Sequence, residues 1–337
     1  MKHVLSLFLE VLLSLLLVVG LLLFMGENLA ILPEALAHTF MNRFGIGYSL
    51  FYATPLILTG LSVALCFHAG LFNIGAEGQL LWGAVSVAAM AEFFPGLPRG
   101  VALPLVFLVA ALSGGLWGLL PGYFKAKRGT HEVLTTLLLN FVAVFCTNYL
   151  ILYPLKNPDS QSAETRVLSP AYQLESLWFP TTPVNVSFIV SLLIAIAVYI
   201  YLFRTSSGFE MRALGSSPRA ALFSGVSISN RTVLAFFLSG CLAGLVATND
   251  VLGNEHKLVE GFSPGYGFTG IAVALLARNH PIGIIFSSLL FGCLQNFSRE
   301  LEFFSENISK EISLILQAFL IVLISTRSLW DKWVNRD

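Results

Sequence analysis

Between two apolar runs, the stretch Phe67-His68-Ala69-Gly70-Leu71-Phe72-Asn73-Ile74-Gly75-Ala76-Glu77-Gly78-Gln79 sets two amides and a carboxylate among glycines. The glycines permit tight, non-helical backbone. Asn73, Glu77 and Gln79 supply polar groups that hydrocarbon excludes unless they line a cavity or are buried in protein. The chemistry on offer is passage or holding of a polar solute; a short turn outside the membrane explains the same residues equally well. A second polar set follows Lys125-Ala126-Lys127-Arg128-Gly129-Thr130-His131-Glu132 and comprises Thr135, Thr136 and Asn140, running on to Thr147. Thr136, Asn140 and Thr147 fall on one helical face. Such a stripe suits a path for a hydroxylated solute, and hydrogen bonding between helices uses the same residues. It is not a zinc motif, because HExxH needs a histidine where Thr135 stands.

Two further segments have usable patterns. In residues 204–231, Ser217 suits a helix N-cap, Pro218 the first helical position and Gly225 the exit. That predicts about two turns of helix. Flanked by Arg212, Arg219 and Arg231, it is suited to dock on a soluble partner; a basic loop with no partner is the plainer alternative. The stretch Gly261-Phe262-Ser263-Pro264-Gly265-Tyr266-Gly267-Phe268-Thr269-Gly270 precedes an apolar run and reads as a close helix approach or a half-helix. Asp250, near the end of the preceding apolar run, either meets solute or sits at the interface.

The elements that must position these groups are membrane spans. Of 337 residues, 56% are hydrophobic and only 11% charged, against about 25% charged in soluble proteins. Apolar runs of near-spanning length fall at about ten places: 4–25, 45–66, 78–94, 101–121, 133–153, 186–203, 232–252, 264–277, 281–297 and 312–325. The fold class expected is an all-α polytopic bundle of one membrane domain, 1–337, with broken or re-entrant segments. Counting gives five spans in each of two halves, 1–153 and 186–326, so the second half enters the membrane inverted. With the N-terminus inside, twelve of the nineteen Lys and Arg residues face the cytoplasm, including those of 204–231, and seven face outward. Both termini are then cytoplasmic. The run 4–25 resembles a signal peptide, but its length and the distance to Ala35-Leu36-Ala37 favour a retained span.

Several function classes drop out. Lys+Arg and Asp+Glu number 19 each, so no uncompensated basic surface exists for nucleic acid. Cys66, Cys146, Cys241 and Cys293 lie in separate apolar runs with no CxxC pair, which reads as packing and not as a metal site. The six histidines are scattered without triad or ligand spacing, so no catalytic residue, metal or cofactor is expected.

Taken in order, these segments resemble the permease subunit of bacterial ABC importers of the branched-chain amino acid, ribose and simple-sugar superfamily, nucleoside branch. Phe72 to Gln79 resembles its first motif, and His131-Glu132-Val133 with Thr135 and Asn140 its second. Arg212-Ala213-Leu214-Gly215 with Pro218 and Ala220-Ala221 resembles its cytoplasmic coupling segment. Gly261 to Phe268 and Gly270 to Leu276 resemble its late motif. The likeness covers residues 50–300 and four ordered motifs. Thr269 departs from an acidic residue expected there, and Ser216-Ser217 from an Asn before the proline.

The resemblance implies a transport subunit and no enzyme, set in a bacterial cytoplasmic (inner) membrane. It has no GxxxxGK[ST] loop, so ATP must be held by a separate ATPase. That ATPase would dock on the coupling segment, with Gly208, Glu210, Arg212, Gly215, Pro218, Arg219, Ala220 and Ala221 as coupling residues. Asn73, Glu77, Gln79, Thr135, Thr136, Asn140 and Asp250 would line the substrate pathway. An extracytoplasmic binding protein and a second, non-identical permease subunit complete the expected assembly. Nucleosides are the leading substrates, with simple sugars such as ribose or galactose as the alternative. An ion-coupled secondary transporter is the reading from another class. It needs an intramembrane carboxylate, whereas Glu10, Glu77, Glu132 and Asp250 fall near predicted span ends.

Overall fold

A computed structural model describes residues 29–178 and 181–305, with isolated positions 19, 20, 23, 315, 318 and 319. The expected spans 4–25 and 312–325 therefore lie outside the described residues, apart from those isolated positions. The described chain is helical: α1 (Ile31–Met41), α2 (Arg43–His68), α3 (Ala76–Phe93), α4 (Arg99–Arg128), α5 (Glu132–Leu152), α6 (Val186–Arg204), α7 (Ser206–Ser216), α8 (Pro218–Phe223), α9 (Ile228–Gly244), α10 (Ala247–Asp250), α11 (Tyr266–Leu276) and α12 (Pro281–Phe304). Its only β pairing among the described residues is three isolated bridges in loops.

Among the described residues, six helices are long and apolar enough to cross a membrane: α2, α4, α5, α6, the α9–α10 stretch Ile228–Asp250, and α12. The run expected at 78–94 is the 18-residue α3, whose first turn carries Glu77 and Gln79 and whose other positions are mostly buried. The run expected at 264–277 is α11, only 11 residues long, as the glycines before it imply.

By internal packing the chain falls into two units, one of residues 1–52 and 289–337, the other of residues 53–288. In the first, Ala35 of α1 packs on Phe297 and Leu301. Asn296 donates to the carbonyl of Gly45 (2.9 Å) and to Ser49 (3.2 Å), and the Arg299 guanidinium lies 3.7 Å from the Tyr48 ring centroid.

The second unit holds every segment singled out above. Its core at one end joins α3 (Ala84–Ala91 positions), α4 (Ala102, Val106, Ala110) and α10 with the long 154–185 connection. That connection is fastened to residues 252–260: Thr165 and Leu174 donate to the carbonyls of Leu258 and Leu252, and Lys257 pairs with Glu164 at 2.8 Å. Tyr172, fully buried, donates its hydroxyl to the carbonyl of Phe94 at 2.8 Å. Two loops expected on the same side of the membrane thus close on each other.

The centre of this unit is a crossing of bare backbones. A Cβ on Gly114 of α4 would strike the carbonyl of Gly240 of α9, and one on Gly240 would strike the carbonyl of Gly114. Gly118 similarly meets the carbonyl of Phe236, and Gly244 meets both Ala110 and, from α3, Gly83. Small residues four apart on each helix permit this approach, which in lipid supplies the packing that a hydrophobic effect cannot.

Gly114→Leu should therefore overpack the crossing and destabilise the protein by about 1–3 kcal/mol or more. In detergent this would be read as a lowered thermal midpoint and loss of the monodisperse peak. Gly100→Leu, where nothing lies within 4 Å of the added Cβ, should leave both unchanged. Equal behaviour of the two variants would refute the crossing.

Candidate functional site

The polar stretch after α2 is a built break in a helix. Gly70 sits at φ 71° and donates to the carbonyl of Phe67, while Leu71 donates to that of Cys66 at 2.9 Å. This is a Schellman ending, which needs a residue at positive φ. Residues 69–75 then run without helix to α3. Asn73 folds over this link. Its amide nitrogen donates to Gln79 Oε1 (3.0 Å) and Ser239 Oγ (2.8 Å), and its oxygen accepts from Gly75 N (2.8 Å). Ser239 in turn donates to the carbonyl of Ser62 at 2.7 Å. From α5, Asn140 accepts from Gly78 N and donates to the carbonyl of Ile74, both at 2.9 Å. Asn73, Gln79, Asn140, Ser62 and Ser239 are all buried. One network thus ties α2, the link, α3, α5 and α9.

Glu77 performs a second joining. In the first turn of α3 it is buried, and its Oε2 accepts from Gly267 N at 2.7 Å. Gly267 lies in the first turn of α11, where a Cβ would strike the backbone of Glu77 itself. Ser263 Oγ accepts from Gly265 N and Tyr266 N at 3.3 Å each, and Gly265 takes φ 90°. The free N–H groups that open a helix are here satisfied by one serine and one carboxylate. Because Glu77 also stands in the first turn of its own helix, the carboxylate lies at the positive ends of two helix dipoles. Tyr266 reaches the other way and donates to Asp250 Oδ1 at 3.4 Å; Asp250 also accepts from Asn249 at 3.3 Å. Both carboxylates expected to line a path therefore face the opening of α11.

The remaining pathway residues are placed differently. Thr136 is buried, bonds to its own helix at the carbonyl of Glu132 (2.8 Å), and lies against Gly75. Thr135 lies off that face and bonds to Thr130 and to the carbonyl of His131. Thr147 is buried with no hydrogen-bond partner among the described residues. Ser62, Ser239, Ser263 and Tyr266 complete the two networks without being marked as site residues by the sequence. Ser62 and Ser239 stand singly in apolar runs, where nothing local says which serine bonds across helices.

The 204–231 segment forms two short helices. Thr205 caps α7 by accepting from Gly208 N at 3.1 Å. Arg212 donates to the carbonyl of Leu202 (3.0 Å) and lies 4.9 Å over the Phe203 ring. Glu210 pairs with Arg231 of α9 at 2.7 Å. Ser217 caps α8 by accepting from Ala220 N, Pro218 stands at the first position, and Gly225 ends it at φ 84°. The outer face of α8 presents Arg219, Ala220, Leu222 and Phe223, the last 91% exposed, whereas Ala221 faces inward.

Comparison with known proteins bears on this arrangement. The guanosine ABC transporter permease protein NupP of Bacillus subtilis is 33% identical over 286 residues, covering 83% of this chain and 81% of that protein. The nucleoside ABC transporter permease protein NupB of Lactococcus lactis subsp. cremoris is 33% identical over 290 residues, 84% of this chain and 79% of that protein. The glucose ABC transporter permease protein TsgB13 of Haloferax volcanii is 33% identical over 306 residues, 88% of this chain and 80% of that protein. The model of one permease family matches residues 45–325, a span that contains both buried networks and both short helices. This multi-pass membrane protein belongs to the family of permease components of the branched-chain amino acid transport system.

Proposed function

We propose that this chain is the membrane subunit of an ABC importer and carries nucleosides across a bacterial cytoplasmic membrane. The observation that carries the reading is the 33% identity to NupP across more than four-fifths of both chains. Ten spans in two inverted halves, 1–153 and 186–326, place both termini and residues 204–231 in the cytoplasm. An ATPase seats on the exposed face of α8, a binding protein delivers solute at the loops 154–185 and 252–260, and a second permease subunit closes the path. ATP-driven closure of the ATPases shifts α7 and α8, and the path alternates between its two openings because bound states favour one or the other.

Asn73, Glu77, Gln79, Thr136, Asn140 and Asp250 form the wall of that path. Their hydrogen bonds to one another hold the broken segments in shape, and Thr135 lies at the rim. The amide and hydroxyl groups of that wall match a neutral, hydroxyl-rich solute. Glucose import is the second reading, favoured by equal identity to TsgB13 over 88% of the chain. Ion coupling loses its ground, since these relatives are named as ABC permease proteins.

Uptake of labelled guanosine and cytidine, with and without the gene and in competition with glucose and ribose, tests the substrate. Loss of nucleoside uptake that free sugars do not compete supports nucleosides; loss of sugar uptake alone moves the substrate to sugars. The docking role is tested by Ala221→Pro. Ala221 N donates to the carbonyl of Ser217 at 3.0 Å, and proline there removes the bond and breaks the helix at a cost of about 3 kcal/mol. Membrane insertion should persist while uptake disappears; normal uptake would show that the ATPase docks elsewhere. At Glu77, glutamine keeps an acceptor for Gly267 N, whereas leucine leaves that buried N–H unpaired at about 1–3 kcal/mol. Glu77→Gln should keep most uptake and Glu77→Leu should lose about tenfold or more. Equal loss in both would make the charge, not the hydrogen bond, the essential feature.

A further inference from the structure

Resting on the importer reading, a more specific role follows for one contact. Gly215 lies in the last turn of α7, and a Cβ there would strike the carbonyl of His68 and come within 2.8 Å of Gly70 N. From the other side, a Cβ on Gly70 would lie 2.9 Å from the Cα of Gly215. The two main chains touch with no side chain between them. The glycines have different causes. Gly70 takes φ 71° to end α2, so its type is fixed by the backbone. Gly215 is helical with an ordinary φ, where alanine would stabilise the helix by about 1 kcal/mol. Only the approach to residues 68–70 explains a glycine there.

What lies on each side gives the contact its meaning. Upstream, α7 and α8 share Ser217, which ends one helix and caps the next, and Glu210–Arg231 holds α7 to α9. Downstream, the link begun by Gly70 reaches Asn73 and Ile74, which the network fastens to Gln79, Ser239 and Asn140. Side chains absorb small displacements by changing rotamer. Two touching backbones cannot, so movement of α7 is imposed on the link. We infer that the Gly70–Gly215 contact is the positioning element through which displacement of the α7–α8 segment reaches the helix break in the wall of the path.

The test uses the whole assembly, with ATPase, partner permease and binding protein, in proteoliposomes. Nucleoside uptake and ATP hydrolysis are measured with and without the nucleoside-loaded binding protein. Gly215→Ala is compared with wild type in co-purification of the ATPase, which separates loss of docking from loss of transmission. The variant should lose about tenfold in uptake and in the stimulation of hydrolysis by loaded binding protein, within the range seen for mutations along coupled contacts. Gly100→Ala, in open space, should match wild type in all readouts. Should Gly215→Ala fail to insert, Gly70→Asn presses the same contact from the other side, because asparagine tolerates positive φ. It should show the same selective loss. Unchanged stimulation and uptake in the inserted variant would overturn the inference, as would loss of the ATPase from the complex, which would make Gly215 a docking residue only. A wild-type assembly that neither binds an ATPase nor imports nucleosides would instead overturn the function proposed above.

Discussion

Hydrocarbon gives a broken helix nothing to bond with, and this protein breaks its helices beside its most apolar segments. Each break therefore requires internal partners for its freed N–H and C=O groups. The Glu77–Gly267 bond at 2.7 Å is where that requirement is met most economically. One carboxylate closes the N-terminus of α11 while standing in the first turn of α3, so two helix ends are held at one point. Because Gly267 brings its backbone against Glu77 without a side chain between, neither end can shift alone. The same device recurs within the unit of residues 53–288. Asn73 and Asn140 do for the link 69–75 what Glu77 does for α11, binding its main chain to helices that are themselves unbroken there.

Glycine serves two purposes in this arrangement. At Gly70, Gly225 and Gly265 the main chain takes positive φ, and the residue type is dictated by conformation. At Gly114, Gly240, Gly244, Gly215 and Gly267 the conformation is ordinary, and the residue type is dictated by a neighbouring backbone. The second group locates the places where helices of this unit are closest. Those places coincide with the crossing of α4 and α9, the start of α11 and the end of α7.

This division also explains what the amino-acid sequence discloses. Local signals were legible: Ser217, Pro218 and Gly225 bound α8 because a cap, a first-turn proline and a Schellman ending involve neighbours only. The break near Asn73 and the short α11 were legible for the same reason. Periodicity alone puts Thr135, about 100° round the helix from Thr136, off the face of Asn140. Partners distant in the chain were out of reach. Ser239 lies 166 residues from Asn73 and Gly267 lies 190 residues from Glu77, and nothing in either local stretch names the other. Gly114 and Gly118 on α4, and Gly240 and Gly244 on α9, stand as small residues four apart in the chain. That spacing identifies surfaces able to approach closely, yet it does not say which helix meets which.

Under the proposed function, in which these residues form the wall of the path, the placement of polar groups bears on how that wall can work. Asn73 is hydrogen-bonded to Gln79 and Ser239, and Asn140 to the main chain of Gly78 and Ile74, so in this state the bonds they make are internal. A wall that bound its solute strongly would hold it at the midpoint, and passage requires release on the far side. Selection is then better made before entry, by a protein that binds tightly and lets go on docking. The wall need only replace water adequately while the path changes its opening, which a network that can exchange an internal hydrogen bond for one to a hydroxyl does at little cost, since the number of bonds made is conserved. On this argument the decisive property of the buried amides is that they can trade partners, and the geometry that governs the trade is the position of the helix breaks rather than the identity of the solute.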